Sequence, residues 1–222
     1  GLGDVYKRQQ LEHMPFGTML GKDGKPFKTR QGGIIKLADL LDEAERRAAA
    51  LVREKNPDIG LEQLNQLTKV IGLGAVKYSD LSKNRTSDYV FDWDQMLSFD
   101  GNTAPYLQYA YSRIQSVLRK SEEDPTLLPS NAIAEDEPER RLAVCIAGFN
   151  DLLQQVAEEG YPHHLCAYLY DLATRFTAFY EQCPILVSDD AQRTRRLSLA
   201  NSAGITLQKG LDLLGIDVVD HM

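Results

Sequence analysis

The chain has 222 residues, of which 43% are hydrophobic and 26% are charged, and its formal net charge is −7 at pH 7. This composition is typical of a globular protein and excludes a disordered or collagen-like chain. No apolar run reaches the roughly 18 residues that a transmembrane helix requires, so no membrane span is predicted. The three cysteines are widely spaced, which indicates neither a disulfide framework nor a zinc ribbon, and we expect a cytoplasmic protein.

The negative charge is confined to the later part of the chain. Up to Leu97 there are 15 Lys and Arg residues against 14 Asp and Glu residues, whereas from Ser98 onward there are 10 against 18. Residues 13–36 carry five cations and a single acid. A general polyanion-binding surface requires a basic domain, so we expect at most a local cationic loop beside an acidic bundle.

A strand and a basic hairpin are the first predicted elements. Residues 1–11 are given no structural weight and could be a cloning or assembly remnant. The run from His13 to Leu20 predicts a strand, and Asp23-Gly24 is typical of a tight turn, after which the chain returns from Pro26. The hairpin ends at Gln31-Gly32-Gly33 and presents four polar side chains, those of Lys25, Lys28, Thr29 and Arg30.

Two helices are predicted next. Apolar residues recur every three and four positions from Ile34 to Leu51, which predicts a helix that ends at Asn56-Pro57. A second helix is predicted from Leu61 to Leu73, because Gly72 and Gly74 are expected to break it.

The remaining sequence predicts a helical bundle. A loop is expected over residues 77–88, followed by either a short strand or an irregular packed segment at residues 89–93. Four antiparallel helices with short or medium connections are then predicted, and the domain boundary is placed between residues 97 and 98, giving domains 12–97 and 98–222. Their bounds come from proline and glycine signals: residues 104–120 with Thr103 as N-cap and Pro105 in the first turn, residues 138–158, residues 162–183 and residues 190–214.

The hairpin has cations and free backbone N–H groups ahead of a helix, an arrangement that suits an anionic phosphate. A Walker phosphate-binding loop is excluded, because Gly17 and Gly21 are separated by three residues and Asp23 follows Lys22. From charge alone, a solvated surface hairpin is the favoured interpretation.

Two long segments carry a family resemblance. HMPFGTMLGKDGKPFKTRQGGIIKLADLLDEA (13–44) and VKYSDLSKNRTSDYVFDWDQMLSFDGNTAPYLQYAYSRIQSVLRK (76–120) resemble arginyl-tRNA synthetases of class I. A weaker resemblance continues through LCAYLYDLATRFTAFYEQCPIL to the end, so it covers residues 12–222, the C-terminal part of such an enzyme. It implies a mainly α fold: the distal edge of a class I catalytic domain, with a short β hairpin and helices, followed by an antiparallel helical bundle of the anticodon-binding type.

The resemblance also implies a function. The chain would be the C-terminal portion of an arginine–tRNA ligase, which uses ATP with Mg²⁺ as a substrate and holds no prosthetic group. The signature loop of the class, usually Lys-Met-Ser-Lys, aligns with residues 26–29 (PFKT), where neither lysine position holds lysine. The resemblance therefore implies catalytic roles for Lys28, Thr29 and Arg30, with Lys28 and Lys25 as cations for ATP. The His-x-Gly-His motif of the class does not occur in these residues, so we expect the chain alone to be inactive.

One predicted helix carries an aromatic flank. At about 100° per residue, Tyr106, Tyr109 and Arg113 lie on one rim, beside a core stripe of Leu107, Ile114 and Leu118, with Tyr111 on the packed face. The same projection points Gln108 toward solvent. Two rings and a guanidinium can stack unpaired bases, although the pattern alone favours a rim that covers the next helix, with Arg113 paired to an acid.

For this helix the resemblance favours RNA binding. It implies that Tyr106, Tyr109 and Arg113 contact the tRNA anticodon loop, with Gln108 in the same matching string. Tyr180, on the third helix of the predicted bundle, is a weaker candidate, for which core packing is the favoured interpretation. Met222 matches the family's habit of ending in methionine near the anticodon, where it would either stack on a base or be merely the last residue. The implied partners are tRNA, together with ATP and arginine in the full-length enzyme, and a monomer is favoured.

Two other interpretations stay open, and a metal site is not predicted. His163 and His164 point about 100° apart on a helix, and with Cys166 they supply too few ligands for a metal ion. The first alternative is a non-catalytic tRNA-binding or helical scaffold module built from the same bundle. The second is a helical interaction protein that does not bind RNA.

Overall fold

The structure, a computed structural model, describes residues 13–26, 36–129 and 133–222. The described chain is mainly helical with a small sheet, which confirms the predicted fold class. Within it, no helix combines the length and the apolar character that crossing a membrane requires. The elements in chain order are β1 (Met19–Leu20), α1 (Leu37–Lys55), α2 (Leu61–Leu81), β2 (Tyr89–Val90), α3 (Trp93–Met96), α4 (Ala104–Ser121), a 3-10 turn (Pro125–Leu127), α5 (Glu137–Ala147), α6 (Phe149–Glu159), α7 (Pro162–Gln182) and α8 (Asp190–Leu213).

The predicted tight turn is present. Gly24 adopts a positive φ of 70° and donates its N–H to the carbonyl of Gly21 at 2.9 Å. Gly21 in turn donates to Lys25 at 2.8 Å, and Leu20 forms an antiparallel bridge with Pro26. The hairpin is thus formed as far as Pro26, and its continuation falls on residues 27–35, outside the described residues.

The strand before the turn is shorter than predicted. Only Met19 and Leu20 are extended partners of β2, and they pair with Tyr89 and Val90 in parallel. Residues 13–18 are held instead by the loop before β2: Gly17 donates its N–H to the carbonyl of Arg85 at 2.6 Å. A pairing between segments 70 residues apart leaves no local signal in the sequence.

Helix α2 is longer than predicted, because Gly72 and Gly74 do not break it. A Cβ on Gly72 would lie 3.0 Å from the backbone of Glu45, so this glycine allows α1 to pack closely against α2. A Cβ on Gly74 would lie 2.8 Å from Nε2 of Gln108. Both glycines serve helix packing, and the loop that was predicted from Lys77 begins after Leu81.

The described residues form two hydrophobic cores, and each core includes a residue from the other side of the predicted domain boundary. One core joins α1 and α2, and the other fills the bundle. Tyr78 of α2 is buried in the bundle core, where its hydroxyl lies 2.6 Å from Oδ1 of Asn102 and 2.9 Å from the carbonyl of Cys166. In return, Val219 near the C-terminus packs in the core of α1 and α2. The division at residues 97 and 98 stays a prediction.

The bundle helices α4, α7 and α8 begin and end close to their predicted bounds. Thr103 caps α4, since its hydroxyl oxygen accepts the N–H of Tyr106 at 3.3 Å. The prediction of a single helix over residues 138–158 is wrong. It is divided into α5 and α6 at Gly148, whose N–H is bonded to the carbonyls of Val144 and Cys145.

A buried ion-pair network fastens α5 to α8. The fully buried carboxylate of Glu139 accepts hydrogen bonds from Arg196 at 2.8 Å and from Arg195 at 3.1 Å. Arg196 also bonds Asp136 at 2.7 Å. The potential ligand atoms of Asp136, Glu139 and Cys183 lie within 4.8 Å of one another, but guanidinium groups already occupy both carboxylates, so the cluster is an ion-pair network.

Replacing Glu139 with glutamine should lower the free energy of unfolding at pH 7 by about 3 kcal/mol, because the buried guanidinium of Arg196 and the partly buried one of Arg195 lose their shared carboxylate. Burial by itself raises the pKa of Glu139, but hydrogen bonds from Arg196, Arg195 and two backbone N–H groups outweigh it and lower the pKa. The network therefore stabilises the fold fully at pH values above the pKa of Glu139 in the unfolded chain, which is about 4.3. This stabilisation is lost as the pH falls through the lower pKa of Glu139 in the folded protein. Urea unfolding should show the difference between wild type and variant shrinking below about pH 4.

The matched control is Glu137→Gln, because Glu137 pairs with Arg140 and Arg141 on an exposed face of the same helix. It should change stability by less than about 1 kcal/mol. Equal losses in the two variants would contradict the account of the network.

Candidate nucleic-acid interface

Helix α4 places its apolar residues as predicted. Leu107, Ile114 and Leu118 are buried in the bundle core, and Tyr111 is buried with them. By contrast, the side chain of Tyr109 is 42% exposed. Most of the surface of α4 is therefore covered, and Tyr109 lies on an accessible strip.

Three side chains form what we term the aromatic–arginine site: Tyr109, Arg113 and Tyr180. Residues 109 and 113 are one helical turn apart, and the Cζ atom of Arg113 lies 4.9 Å from the centroid of the Tyr109 ring. Tyr180, 40% exposed, is brought to the same place by α7, with its ring centroid 5.4 Å from the Arg113 Cζ atom. Within the described residues Arg113 thus contacts two rings and has no carboxylate partner, so the alternative of an ion pair is not observed.

Tyr106 does not share this site. Its ring is half-buried against the bundle core and packs on Tyr170, with the two centroids 5.5 Å apart. The predicted rim is therefore divided: Tyr106 fills a contact between helices, whereas Tyr109 and Arg113 face outward. A role for Tyr106 in RNA binding stays a prediction.

The expectation that Gln108 faces solvent is wrong. Its side chain is 0% exposed, and Nε2 donates to the carbonyls of Val70 at 3.1 Å and Asp217 at 2.9 Å. The helical projection fails because α2 and the C-terminal segment cover this side of α4, and a projection contains one helix only. A nucleotide cannot reach the amide in this structure.

The C-terminal segment, residues 216–222, runs along α4 to the aromatic–arginine site. The carbonyl of Asp220 accepts hydrogen bonds from Ser112 at 3.4 Å and from Arg119 at 3.1 Å. Met222 then lies beside Tyr109 between two surface hollows of about 490 and 760 Å³. The smaller hollow is lined by Tyr109, Ser112, Arg113, Ser116, Arg119, Tyr180, Glu181, His221 and Met222.

A second cation–ring pair lines the larger hollow. Nζ of Lys55, at the end of α1, lies 4.7 Å from the centroid of the Phe99 ring. Sequence reasoning missed both residues. They are 44 positions apart, and nothing in the local sequence near either one indicates the contact.

The predicted phosphate-binding loop is described only in part. Lys28, Thr29 and Arg30 lie outside the described residues. Lys25 is described and exposed, in the turn closed by Asp23. Its neighbour Lys22, which was not predicted to have a role, lies 2.9 Å from Asp92, and this hydrogen bond holds the pKa of Asp92 below its usual range. The hairpin is thereby tied to the beginning of α3.

Two family models match separate parts of the chain. Residues 107–222 match the model of the DALR anticodon binding domain, and residues 2–93 match the model of the catalytic domain of class I tRNA synthetases (R). The fold and the matched models thus define a class I synthetase segment joined to an anticodon-binding domain.

Individual relatives indicate which family of class I synthetases the chain resembles. The chain is 54% identical over 221 residues to the arginine–tRNA ligase of Proteus mirabilis, and 55% identical over 220 residues to that of a Marinomonas species. Each alignment covers 99% of this chain and 38% of the relative. Among solved structures, the arginyl-tRNA synthetase of Thermus thermophilus matches with a TM-score of 0.83 at 36% identity, and the match covers 93% of this chain and 35% of that one. The arginyl-tRNA synthetase of Plasmodium falciparum matches with a TM-score of 0.82 at 30% identity, and the match covers 100% of this chain and 38% of that one. The chain belongs to the arginyl-tRNA synthetase family and spans a little over a third of the length of these relatives.

Truncating the two tyrosines of α4 should separate packing from surface exposure. Tyr106→Ala should lower the free energy of unfolding by about 2 kcal/mol, less than the 3–5 kcal/mol typical of a fully buried ring. Tyr109→Ala should lower it by less than about 1 kcal/mol, because its side chain is 42% exposed and does not belong to the bundle core. Chemical denaturation of the two variants measures both values, and a larger loss for Tyr109→Ala would contradict the assignment of packing to Tyr106.

Proposed function

We propose that this chain supplies the anticodon interface and the ATP-phosphate loop of an arginine–tRNA ligase longer than the chain itself. Such an enzyme attaches arginine to tRNA with ATP, releasing AMP and pyrophosphate. The aromatic–arginine site is the observation that carries the proposal. The relatives are ligases and residues 2–93 match a catalytic-domain model, which supports an enzyme over a non-catalytic module. Cytoplasmic location and a monomeric state stay predictions.

The geometry of the site suits an unpaired base. Two tyrosine rings offer flat apolar faces, and base stacking on such rings contributes about 1–3 kcal/mol per base. The guanidinium of Arg113 can donate hydrogen bonds to the edge of the same base. The hollows on either side of Met222 leave room for the stacked base and its neighbour.

Charge indicates how RNA would be held. From Ser98 onward the acids exceed the bases by 18 to 10, so the bundle does not attract phosphates in general. Binding would then depend on stacking and on hydrogen bonds to bases, which favours a single-stranded loop over a duplex.

For the ATP half of the reaction we propose Lys28 as the phosphate-binding cation, with Lys25, Thr29 and Arg30 beside it. The proposal depends on the aligned sequence alone. Mg²⁺ would accompany ATP as part of the substrate and would supply further positive charge at the phosphates. The ion pair between Lys22 and Asp92 holds the described part of the hairpin, from which this loop continues.

Replacing Arg113 with methionine in the 222-residue chain should weaken binding of an arginine-tRNA anticodon stem-loop by 10-fold or more, a loss of about 1.4 kcal/mol. The physical reason is the loss of the donors and of the cation that contacts both rings. Fluorescence anisotropy with a labelled RNA hairpin measures the dissociation constant. The control is Arg175→Met, which removes the same charge from a guanidinium bonded to Asp171.

Arg175→Met should change the dissociation constant by less than about 2-fold, since an exposed ion pair is worth little. A loss of equal size in both variants would point to net charge as the cause. An unaltered affinity for Arg113→Met would refute the proposed interface.

The loop assignment has its own test in a full-length ligase that contains these residues. Lys28→Met should lower the kcat of arginine-dependent ATP–pyrophosphate exchange by 10-fold or more, because a cation that stabilises developing phosphate charge is lost. Binding of the anticodon stem-loop should be unchanged. Normal exchange kinetics in this variant would show that a different group holds the phosphates.

A further inference from the structure

The Gln108 side chain joins three separate parts of the molecule. It projects from α4, and Nε2 donates one hydrogen bond to the carbonyl of Val70 in α2 and one to the carbonyl of Asp217 in the C-terminal segment. Both protons of the amide are therefore engaged between segments distant in sequence. We refer to this arrangement as the amide junction.

The junction carries a cost in free energy. Oε1 of Gln108 is buried and has no hydrogen-bond partner in the described part of the chain, and burying an unpaired carbonyl oxygen is unfavourable. Gly74 provides the necessary space, because a Cβ there would lie 2.8 Å from Nε2 of Gln108 and 3.2 Å from Ile216. An apolar side chain of similar size would fill the same space without an unpaired amide oxygen, but the carbonyls of Val70 and Asp217 would lose this donor.

The junction fixes the course of the C-terminal segment. The backbone carbonyl of Asp217 accepts a hydrogen bond from Gln108. The backbone carbonyl of Asp220 accepts hydrogen bonds from Ser112, one turn further along α4, and from Arg119. Two residues later, Met222 lines both hollows beside Tyr109. Side chains of α4 thus hold the backbone of this segment along their own helix up to the aromatic–arginine site.

We propose that Gln108 is a positioning residue for RNA binding: it holds the C-terminal segment so that Met222 completes the aromatic–arginine site, and it does not touch RNA. This inference rests on the proposed function. It gives Gln108 a different role from Tyr109 and Arg113, which lie in the same stretch of helix but are accessible to a base.

The test is a double-mutant cycle in the 222-residue chain with the labelled anticodon stem-loop. Gln108→Met keeps the side-chain volume and removes both donors, and it should weaken binding by about 10-fold, a loss of about 1.4 kcal/mol. In a Met222→Ala background, the same substitution should weaken binding by less than about 2-fold, because its effect passes through Met222. A general loss of structure would instead weaken binding equally in both backgrounds.

Two further variants keep the test decisive. Thr68→Val removes another buried oxygen without a partner, on the same helix as Val70, and should leave RNA affinity within about 2-fold of wild type. Gly74→Ala places a Cβ 2.8 Å from Nε2 of Gln108 and 3.2 Å from Ile216 of the C-terminal segment. It should displace the amide junction from both sides and weaken binding even if Gln108→Met fails to fold.

Three results would overturn the inference: wild-type affinity for Gln108→Met, equal losses in the two backgrounds, or, should Gln108→Met not fold, wild-type affinity for Gly74→Ala. Arg113→Met is measured in the same series. If it binds RNA normally, the proposed function fails, and that failure is distinguishable because it does not depend on Gln108 or Met222.

Discussion

The burial of helix α4 is the constraint on which the rest of the structure depends. The helix packs against α2, α7 and α8, and residues 216–222 lie along the face that these leave open. Most of its side chains are thereby immobilised in contacts between helices. Tyr109 and Arg113 remain on the accessible strip, held by a rigid support, which is the arrangement that stacking of a base requires.

This packing also couples the two parts of the chain that match different family models. Tyr78 of α2 lies in the bundle core, and Val219 lies in the core of α1 and α2, so neither part can move far without disturbing the other. Arg85 also donates to the carbonyls of Pro15 and Gly160, joining the segment before the hairpin to the turn between α6 and α7. The part that matches a catalytic domain is thus attached to the bundle at several points.

Sequence reasoning succeeded where a local signal decides the structure. Thr103 with Pro105 marks the start of α4, and the spacing of Tyr109 and Arg113 places them on one turn, because caps and helical periodicity act within a few residues. It failed where distant segments meet. Gly72 resembles a helix breaker until α1 is packed on it, and Gln108 is polar on an outer face until the C-terminal segment covers it. The contact between Arg113 and Tyr180 could not be derived from periodicity either, and for Tyr180 the sequence favours core packing over a role at the surface.

An acidic bundle that binds RNA needs a source of affinity other than phosphate neutralisation. In the proposed interface this source is two tyrosine rings, one guanidinium group and the apolar Met222. The salt dependence of binding measures this most directly. For the 222-residue chain and the anticodon stem-loop, the slope of log Kd against log salt concentration should be shallower than about 2, equivalent to two or three phosphate contacts. A slope of about 5 or more would show that phosphates dominate, and it would contradict the central claim.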